Sequence, residues 1–395
     1  MMSRTKALHF LLAATAAAVS IGCSGCGDDH HDSGSVVPAI EIARAESRAH
    51  CAGHEKEHGV VPPAKGYARI VEIAALGKDG MVFVNDINDD GVAVGSAQMD
   101  SGKFHAFRWT ERGGTTDLGE QPGFGAASYT SAIASDGAIS GQSDHGDGVY
   151  YGYRWTPSTG RVEVCPTACS VWDLNARGQV AGLLLGQDTT TWQAFVWSAA
   201  SGIKTIGTLG GVRSSASGIS DQGLVVGNAQ LAESAANDVG HAFLYDSRAA
   251  RPAIQDLNSR ARTSGWVLRG ATDVNDAYVV GYGVHNEQNR AFRLALQTGV
   301  VDDLGTIGIG DSVAWAVDEA GDVVGWVAPD IHHTIATVWG PAMGKMVALN
   351  DLVDPAEGWD LQQADAINGH GVIVGMGTRQ GVAVGFALTL PLAGQ

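Results

Sequence analysis

The chain has 395 residues, of which 45% are hydrophobic, and it carries a formal net charge of −17. The hydrophobic content excludes a disordered polypeptide. The negative charge argues against nucleic acid as a partner through a general electrostatic field. Glycine accounts for 54 residues, roughly twice its usual share. With few prolines, this composition favours many short strands joined by tight turns.

The N-terminus has the pattern of an export signal. Two basic residues precede an apolar run from Ala7 to Ile21, which is too short for a spanning helix and is typical of a signal peptide. Small residues precede Cys23 and resemble the bacterial lipoprotein box. We therefore expect residues 1–22 to be a lipoprotein signal peptide and Cys23 to be the lipid attachment site. Cys26 is the second choice, and ordinary secretion with cleavage near residues 17–19 is the alternative.

This expectation places the protein in the bacterial cell envelope, outside the cytoplasm, anchored at the outer membrane or the cell surface. The lipid would be the sole contact with the membrane, because no other apolar run of the sequence reaches the about 18 residues that a spanning helix needs.

Residues 23–66 differ in composition from the rest of the chain. They begin as a small, polar and acidic tether, and residues 39–58 then have a helical pattern. On a helix, His50, His54 and His58 share one face, and imidazoles at this spacing can bind Zn²⁺, Cu²⁺ or Ni²⁺. We expect a flexible or partly helical linker, and metal binding by the histidines is a weaker hypothesis than a solvated spacer.

One pattern repeats seven times in the domain that we assign to residues 67–391. Each unit has an apolar residue, a turn, and an apolar run that ends in glycine. These glycines are Gly95, Gly141, Gly182, Gly227, Gly281, Gly325 and Gly375. Most turns combine Asn, Asp or Ser at the first position with Gly at the fourth, which suits a type I turn with a following bulge. Unit five lacks this glycine at Tyr278, so we expect a tighter turn there.

An aromatic segment follows the glycine in each unit, and a short apolar segment ends most units. The recurring positions of this motif are His105, Phe107, Trp109, Trp155, Phe195, Trp197, His241, Phe243, Phe292, Trp339 and Phe386. We interpret them as structural. Tyr, Gln, Arg and Ile replace the histidine in other units, which argues against catalysis, and the tryptophans are expected to pack between units.

Each repeat spans 41–54 residues and contains four short strands. This pattern predicts an all-β fold, and specifically a seven-bladed β-propeller of four-stranded blades. Unit seven ends without a fourth strand, whereas an unassigned strand at residues 70–77 precedes unit one. We expect this N-terminal strand to complete the last blade and to close the ring, which removes exposed sheet edges. Residues 392–395 would form a short tail.

The repeat also resembles a known family. His105-Ala106-Phe107 and His241-Ala242-Phe243, together with Arg-Trp and an Ile-Asn-Asp-x-Gly turn, look like the HAF family of extracellular repeats. The resemblance covers about residues 68–390. It implies an extracytoplasmic location and a repeat architecture, and it implies no particular reaction.

Two further groups of residues suggest local chemistry. Cys165 and Cys169 are close in sequence, and in an oxidising compartment we expect a disulfide between them; a zinc site would need two more ligands. Asp86, Asp173 and Asp273 occupy one repeat position, where they either face an axial channel or cap backbone amides. Capping is the favoured interpretation. The segment from Asp86 to Gly91 matches the start of a calcium loop, but Ala97 stands where the last ligand should be Glu, so we interpret it as a hairpin turn.

No catalytic motif or nucleotide-binding loop is present, and we assign no catalytic residue and no cofactor. The favoured function is a non-enzymatic binding module, acting as a monomer on a protein or glycan ligand. The variable loops at Asn228 to Gly240 and Asp144 to Tyr150 are candidate contact surfaces. The alternative is a polysaccharide hydrolase or lyase on the same scaffold. A flat, aromatic-rimmed face would favour binding, and a pair of buried acids in a deep pocket would favour an enzyme.

Overall fold

The computed structural model describes residues 59–393, apart from residues 65, 79, 120–126, 145–148, 187–190, 233–239 and 331–332. The described residues form 28 β-strands and three single-turn 3-10 helices, at Leu257–Ser259, Leu349–Leu352 and Pro355–Glu357. The predicted all-β class is therefore confirmed. The first strand, β1 (Arg69–Ile73), lies before unit one.

Units one and two each form a four-stranded antiparallel sheet with the strands in chain order. The strands of unit one are β2 (Val82–Ile87), β3 (Val92–Gln98), β4 (Phe104–Thr110) and β5 (Gly114–Asp117). The strands of unit two are β6 (Ser128–Ile133), β7 (Ile139–Asp144), β8 (Tyr150–Thr156) and β9 (Gly160–Glu163).

Units three and four belong to one eight-stranded sheet. The strands of unit three are β10 (Cys169–Leu174), β11 (Val180–Leu185), β12 (Trp192–Ser198) and β13 (Gly202–Gly207). The strands of unit four are β14 (Gly210–Ile219), β15 (Leu224–Leu231), β16 (His241–Asp246) and β17 (Gln255–Asp256). One parallel pairing, between Trp192 and Arg213, joins the two halves.

Units five, six and seven continue the same pattern. The strands of unit five are β18 (Trp266–Val274), β19 (Tyr278–His285), β20 (Gln288–Ala295) and β21 (Val301–Asp303). The strands of unit six are β22 (Asp311–Val317), β23 (Val323–Ala328), β24 (Ile335–Trp339) and β25 (Met346–Ala348). Unit seven supplies β26 (Trp359–Ile367), β27 (Val372–Arg379) and β28 (Val382–Thr389).

The fourth strand of the last sheet comes from the beginning of the domain. Strand β1 pairs antiparallel with β28, from Arg69 opposite Thr389 to Ile73 opposite Gly385. The strand is shorter than the predicted range of 70–77. The chain leaves the last sheet after Ile73, and the Gly77 amide donates to the carbonyl of Gln98 in unit one at 2.8 Å.

A β-bulge recurs at one position in the first strand of every unit. The bulged residues are Asn85, Ser131, Trp172, Ser217, Thr272, Trp315 and Asp365. Beside each bulge lies the repeat glycine. A Cβ atom at Gly95 would lie 2.0 Å from the carbonyl oxygen of Phe83, and one at Gly227 would lie 1.9 Å from that of Ser215. The repeat therefore needs glycine because two backbones approach too closely for a side chain.

The turns between the first and second strands follow the sequence pattern. In unit one, the Asn88 amide donates to Val92 O at 3.1 Å, and Gly91 has a φ of +70°. In unit five, the Asn275 amide instead donates to Tyr278 O, at 3.0 Å. The turn that lacks glycine is one residue tighter, as predicted.

The core lies between successive sheets, and the motif phenylalanines occupy it. Phe107, Phe195, Phe243, Phe292 and Phe386 are all fully buried. Each packs in a cluster that combines residues of its own unit and the preceding one. For Phe107 the preceding unit is unit seven, so the first and last sheets are in contact.

Candidate ligand-binding face

The alternating strand directions give each sheet two different ends. The first and third strands begin at one end, where the loops between strands two and three and the connections from the preceding unit lie. We call this end the loop face. The turns from strand one to two and from strand three to four lie at the opposite end, which we call the turn face.

Four aromatic side chains form a continuous row on the loop face, which we call the aromatic row. Phe83 and Tyr129 are the second residues of the first strands of units one and two, and Phe104 and Tyr150 are the first residues of the third strands. Successive ring centroids lie 5.6, 5.8 and 5.7 Å apart. All four side chains are half-buried. The row therefore crosses the boundary between two sheets and retains contact with solvent.

The hydroxyl groups at one end of the row are neutral. Burial raises the pKa of Tyr129, and the neighbouring Tyr150 and Asp144 raise it further. Burial likewise raises the pKa of Tyr150, with Asp144 adding to the effect and a hydrogen bond to Tyr129 opposing it. Both phenols therefore stay protonated at neutral pH, where each can donate and accept hydrogen bonds.

The aromatic row is confined to neighbouring units. At the position of Phe83, the later units have Tyr129, Ser170, Ser215, Gly270, Val313 and Gln363. At the position of Phe104, they have Tyr150, Trp192, Gly240, Asn289, Thr334 and Ala383. In unit three, the Arg213 guanidinium lies 4.3 Å from the centroid of the half-buried Trp192 ring. Because packing needs recur in every unit and these aromatics do not, the fold alone does not account for them.

The three aspartates at one repeat position cap backbone amides, as the sequence favoured. Asp86, Asp173 and Asp273 are buried, and each accepts the amide of the residue that follows it. Each also accepts an amide of the next unit, from Ile133 at 2.7 Å, Ile219 at 2.7 Å and Val317 at 2.9 Å. One carboxylate thus accepts amides from two successive units. Units two, four and six, which follow the units that carry the aspartates, have Ala132, Gly218 and Ala316 at this position.

The turn asparagines make a second set of bonds between units, which the sequence analysis missed. Each side-chain amide donates to the carbonyl of the equivalent turn residue in the next unit. The bonds are Asn88 to Ala134 at 3.3 Å, Asn175 to Ser220 at 2.9 Å, Asn275 to Asp318 at 2.6 Å and Asn368 to Asn88 at 3.0 Å. The last of these joins unit seven to unit one. Asn at the first turn position is the available signal in the sequence, but turn chemistry alone accounts for it there.

The motif histidines are held by the acidic residue of the same unit's last strand. His105 Nδ1 lies 2.9 Å from Asp117 Oδ2, and His241 Nδ1 lies 2.8 Å from Asp256 Oδ2. In unit five, where the motif position is Arg290, His285 makes the equivalent contact with Asp303 at 2.9 Å. The second oxygen of each aspartate accepts a backbone amide of the following turn. The pairs connect strands, as a structural interpretation requires.

The motif tryptophans lie in the packing between sheets. Trp109 is in the cluster shared by units seven and one, and Trp197 is in that of units two and three. Trp155 and Trp339 pack against the clusters between units one and two and between units five and six. None of these four belongs to the aromatic row.

The structure joins Cys165 and Cys169 by a disulfide. The lipid-attachment residue Cys23 and the candidate metal ligands His50, His54 and His58 lie outside the described residues. Parts of both candidate contact loops, 145–148 and 233–239, lie outside them as well. Tyr150, at the end of the first loop, is part of the aromatic row.

The turn face receives the beginning of the domain. The fully buried Val60 pairs with Leu392 and donates its amide to Asp322 Oδ2 at 2.5 Å. Beside it lies an open groove of about 660 Å³, whose lining includes Tyr67 and His370. Tyr67 is 54% exposed. The domain is thus entered on the face opposite the aromatic row.

Within the described part of the chain, no group of three or more His, Cys, Asp or Glu side chains is placed to hold a metal ion. The same residues include no helix that is long and apolar enough to cross a membrane.

The comparisons with known proteins show the fold. No family model and no curated protein matches the chain. It is similar to an oligogalacturonate lyase from Vibrio parahaemolyticus, with a TM-score of 0.54 and 10% identity over 84% of this chain and 96% of that one. An oligogalacturonate lyase in complex with manganese is similar with a TM-score of 0.53 and 12% identity, over 84% of this chain and 96% of that one. The β-propeller domain of the Trilobed protease from Pyrococcus furiosus is similar with a TM-score of 0.51 and 10% identity, over 84% of this chain and 95% of that one. The scaffold of this chain is therefore a β-propeller.

Proposed function

We propose that this protein is a lipid-anchored, extracytoplasmic propeller with seven blades in a closed ring, and that it binds a protein or glycan ligand without transforming it. The seven units correspond to the blades, and the pairing of β1 with β28 supports closure. So does the contact of Asn368 in unit seven with Asn88 in unit one. The repeat's resemblance to extracellular HAF repeats and the N-terminal export pattern support the location.

The aromatic row is the observation that carries the binding function. A repeat scaffold repeats the residues that its packing requires, whereas Phe83, Phe104, Tyr129 and Tyr150 occur in two adjacent units. Half-buried aromatic side chains offer a rigid apolar surface, and tyrosines add hydrogen-bonding tips. Such side chains are typical of recognition surfaces. The row places aromatic side chains on one face, which supports binding over the hydrolase or lyase alternative.

The entry of the chain on the turn face supports this assignment. Val60 is fixed on that face by Asp322 and Leu392. A lipid on Cys23 would therefore attach through a linker that leaves from the turn face. The loop face, with the aromatic row, would remain free to meet a ligand.

A retention experiment with the full chain tests the proposal. Wild type, a Phe104→Ala/Tyr150→Ala double variant and a Tyr67→Ala control are immobilised and exposed to detergent-solubilised envelopes. Retained protein and retained carbohydrate are both measured. Tyr67 is an exposed aromatic residue on the opposite face, so its replacement should leave retention unchanged. We expect the double variant to retain at least tenfold less of one specific ligand.

Far-ultraviolet circular dichroism and thermal unfolding of the three proteins check that they share one fold. Equal retention by all three would contradict a binding site at the aromatic row. Release of new reducing ends or unsaturated sugars from a polysaccharide panel would replace the binding function with the hydrolase or lyase alternative.

A further inference from the structure

We infer that the aromatic row binds an oligosaccharide without acidic groups. This inference rests on the proposed function, because it names the ligand class of the same face.

The geometry of the row suits a chain of small rings. Phe83 and Phe104 are tilted by 38°, Phe104 and Tyr129 by 26°, and Tyr129 and Tyr150 by 57°. At centroid separations of 5.6–5.8 Å, the side chains follow one another along a strip. They do not form one closed stack. The spacing is comparable to that of successive sugar rings in an extended oligosaccharide. A sugar ring has an apolar C–H face, which an aromatic ring can cover, and a polar rim.

The polar groups of the row lie at one end. The neutral hydroxyls of Tyr129 and Tyr150 hydrogen-bond each other, and the Asp144 carboxylate acts on both of them. A neutral phenol can donate one hydrogen bond and accept others, so the pair retains capacity for a ligand hydroxyl. Phe83 and Phe104 supply the apolar end. A ligand that combines apolar faces with many hydroxyl groups matches both ends, as small-molecule sites combine apolar walls with a few placed polar groups.

Charge selects among saccharides. The charged side chain that acts on both tyrosines is acidic, Asp144, and the whole chain carries a net charge of −17. Like charges disfavour association. Polymers of uronic acids should therefore bind less well than neutral or amino sugars.

Calorimetric titration of the full chain with three purified probes tests the inference. The probes are β-1,4-linked hexamers of glucose and of N-acetylglucosamine, and a hexamer of galacturonate. We expect at least one of the two non-acidic hexamers to bind more tightly than the galacturonate hexamer. Phe104→Ala and Tyr150→Ala should each raise Kd by roughly five- to tenfold, since an aromatic contact contributes about 1 kcal/mol.

Two matched variants sharpen the test. Tyr150→Phe keeps the ring and loses the hydroxyl, so it should raise Kd less than Tyr150→Ala does. Tyr67→Ala, on the turn face, should leave Kd unchanged. The Phe variant also keeps the test valid if removal of a ring prevents folding.

The inference is overturned if neither non-acidic hexamer binds. Tighter binding of the galacturonate hexamer, or a Kd unaffected by the row variants, would also overturn it. If the envelope experiment then shows a protein ligand lost in the double variant, the proposed function stands and the ligand class is wrong. If retention there is also equal in all variants, both proposals fall.

Discussion

Single polar side chains form hydrogen bonds from one unit to the next and so help to hold the sheets of this molecule together. Asp173 accepts the amide of the next residue, Leu174, and the amide of Ile219, which lies 46 residues further on. The sequence showed that an acid recurs at this position and favoured backbone capping. It did not show the partner in the next unit, because that contact depends on how two sheets are placed side by side.

Asp322 is a residue whose role was invisible in the sequence. Its side chain is fully buried, and it accepts the Val60 amide through Oδ2. The other oxygen, Oδ1, has no hydrogen-bond partner among the described residues. Burial raises the pKa of Asp322 to about 6, against the opposing effects of the Val60 amide and Arg293. The folded protein therefore takes up a proton at a higher pH than the unfolded chain does.

This shift predicts that acidification stabilises the fold at Asp322. The folded state binds more protons than the unfolded state between the ordinary pKa of 3.8 and the raised value of about 6. The contribution of this group to stability therefore increases as the pH falls through 6 and is complete below 3.8. Asp322→Asn should be more stable than wild type at pH 8, by up to about 3 kcal/mol, and should lose this advantage near pH 4.

Urea unfolding of both proteins at several pH values measures the difference. A constant difference across the range would show that Asp322 titrates normally. Gln297→Ala, which removes an exposed polar side chain, provides a control that should not change the pH dependence.

At the scale of elements, the connection between units has two designs. In one, a serine of the incoming first strand accepts an amide of the preceding unit, as Ser214 does from Ala194 and Ser312 from Ala291. In the other, an asparagine of the preceding unit accepts the amide of a leucine, as Asn258 does from Leu268 and Asn350 from Leu361. The strands of the second design carry an additional bulge immediately after that leucine, whereas the additional irregularity of β14 lies between Gly210 and Ser214, before the serine contact. The sequence indicated Gly or Asn at the ends of units, but it did not indicate that the choice is matched to the next strand.

Strand β1 contributes more than a sheet edge. Ile73 is fully buried in the cluster between units seven and one, together with Val84 and Phe107. The strand therefore links the two ends of the repeat array through its side chains as well as through its pairing with β28.

We expect Ile73→Ala to lower the free energy of unfolding by about 3 kcal/mol, because the substitution leaves a cavity in a packed core. Ile309→Ala makes the same chemical change at a side chain that is 90% exposed, where the effect should stay within about 0.5 kcal/mol. Chemical denaturation compares the two. Equal, small effects would mean that β1 is not packed between the first and last units.

At the scale of the whole molecule, the proposed closed ring makes the first and last units neighbours. The side-chain amide of Asn368 donates to Asn88 O at 3.0 Å, across 280 residues of sequence. Asn175 makes the corresponding bond to Ser220 between adjacent units at 2.9 Å. Both asparagines also accept amides of their own turns.

This equivalence predicts that Asn368→Ala and Asn175→Ala destabilise the protein by similar amounts, about 2 kcal/mol each. Each removes one bond between units and two bonds from backbone amides of its own turn, and Asn175→Ala also removes a bond to the Gln179 side chain. Thermal and urea unfolding of the two variants provide the comparison. In an open array, Asn368→Ala would lose the turn bonds alone and would be clearly the milder change.

The sequence by itself determined the all-β class, the repeat unit and the tight turn of unit five. Strand alternation, turn residues and the recurring glycine act over a few residues, and repetition makes them visible. The tertiary structure decided which amide each aspartate and asparagine reaches, how His285 replaces the motif histidine, and where Phe83 and Tyr150 meet in one row. These contacts join strands from different parts of the chain, and their partners depend on the register and packing of whole sheets.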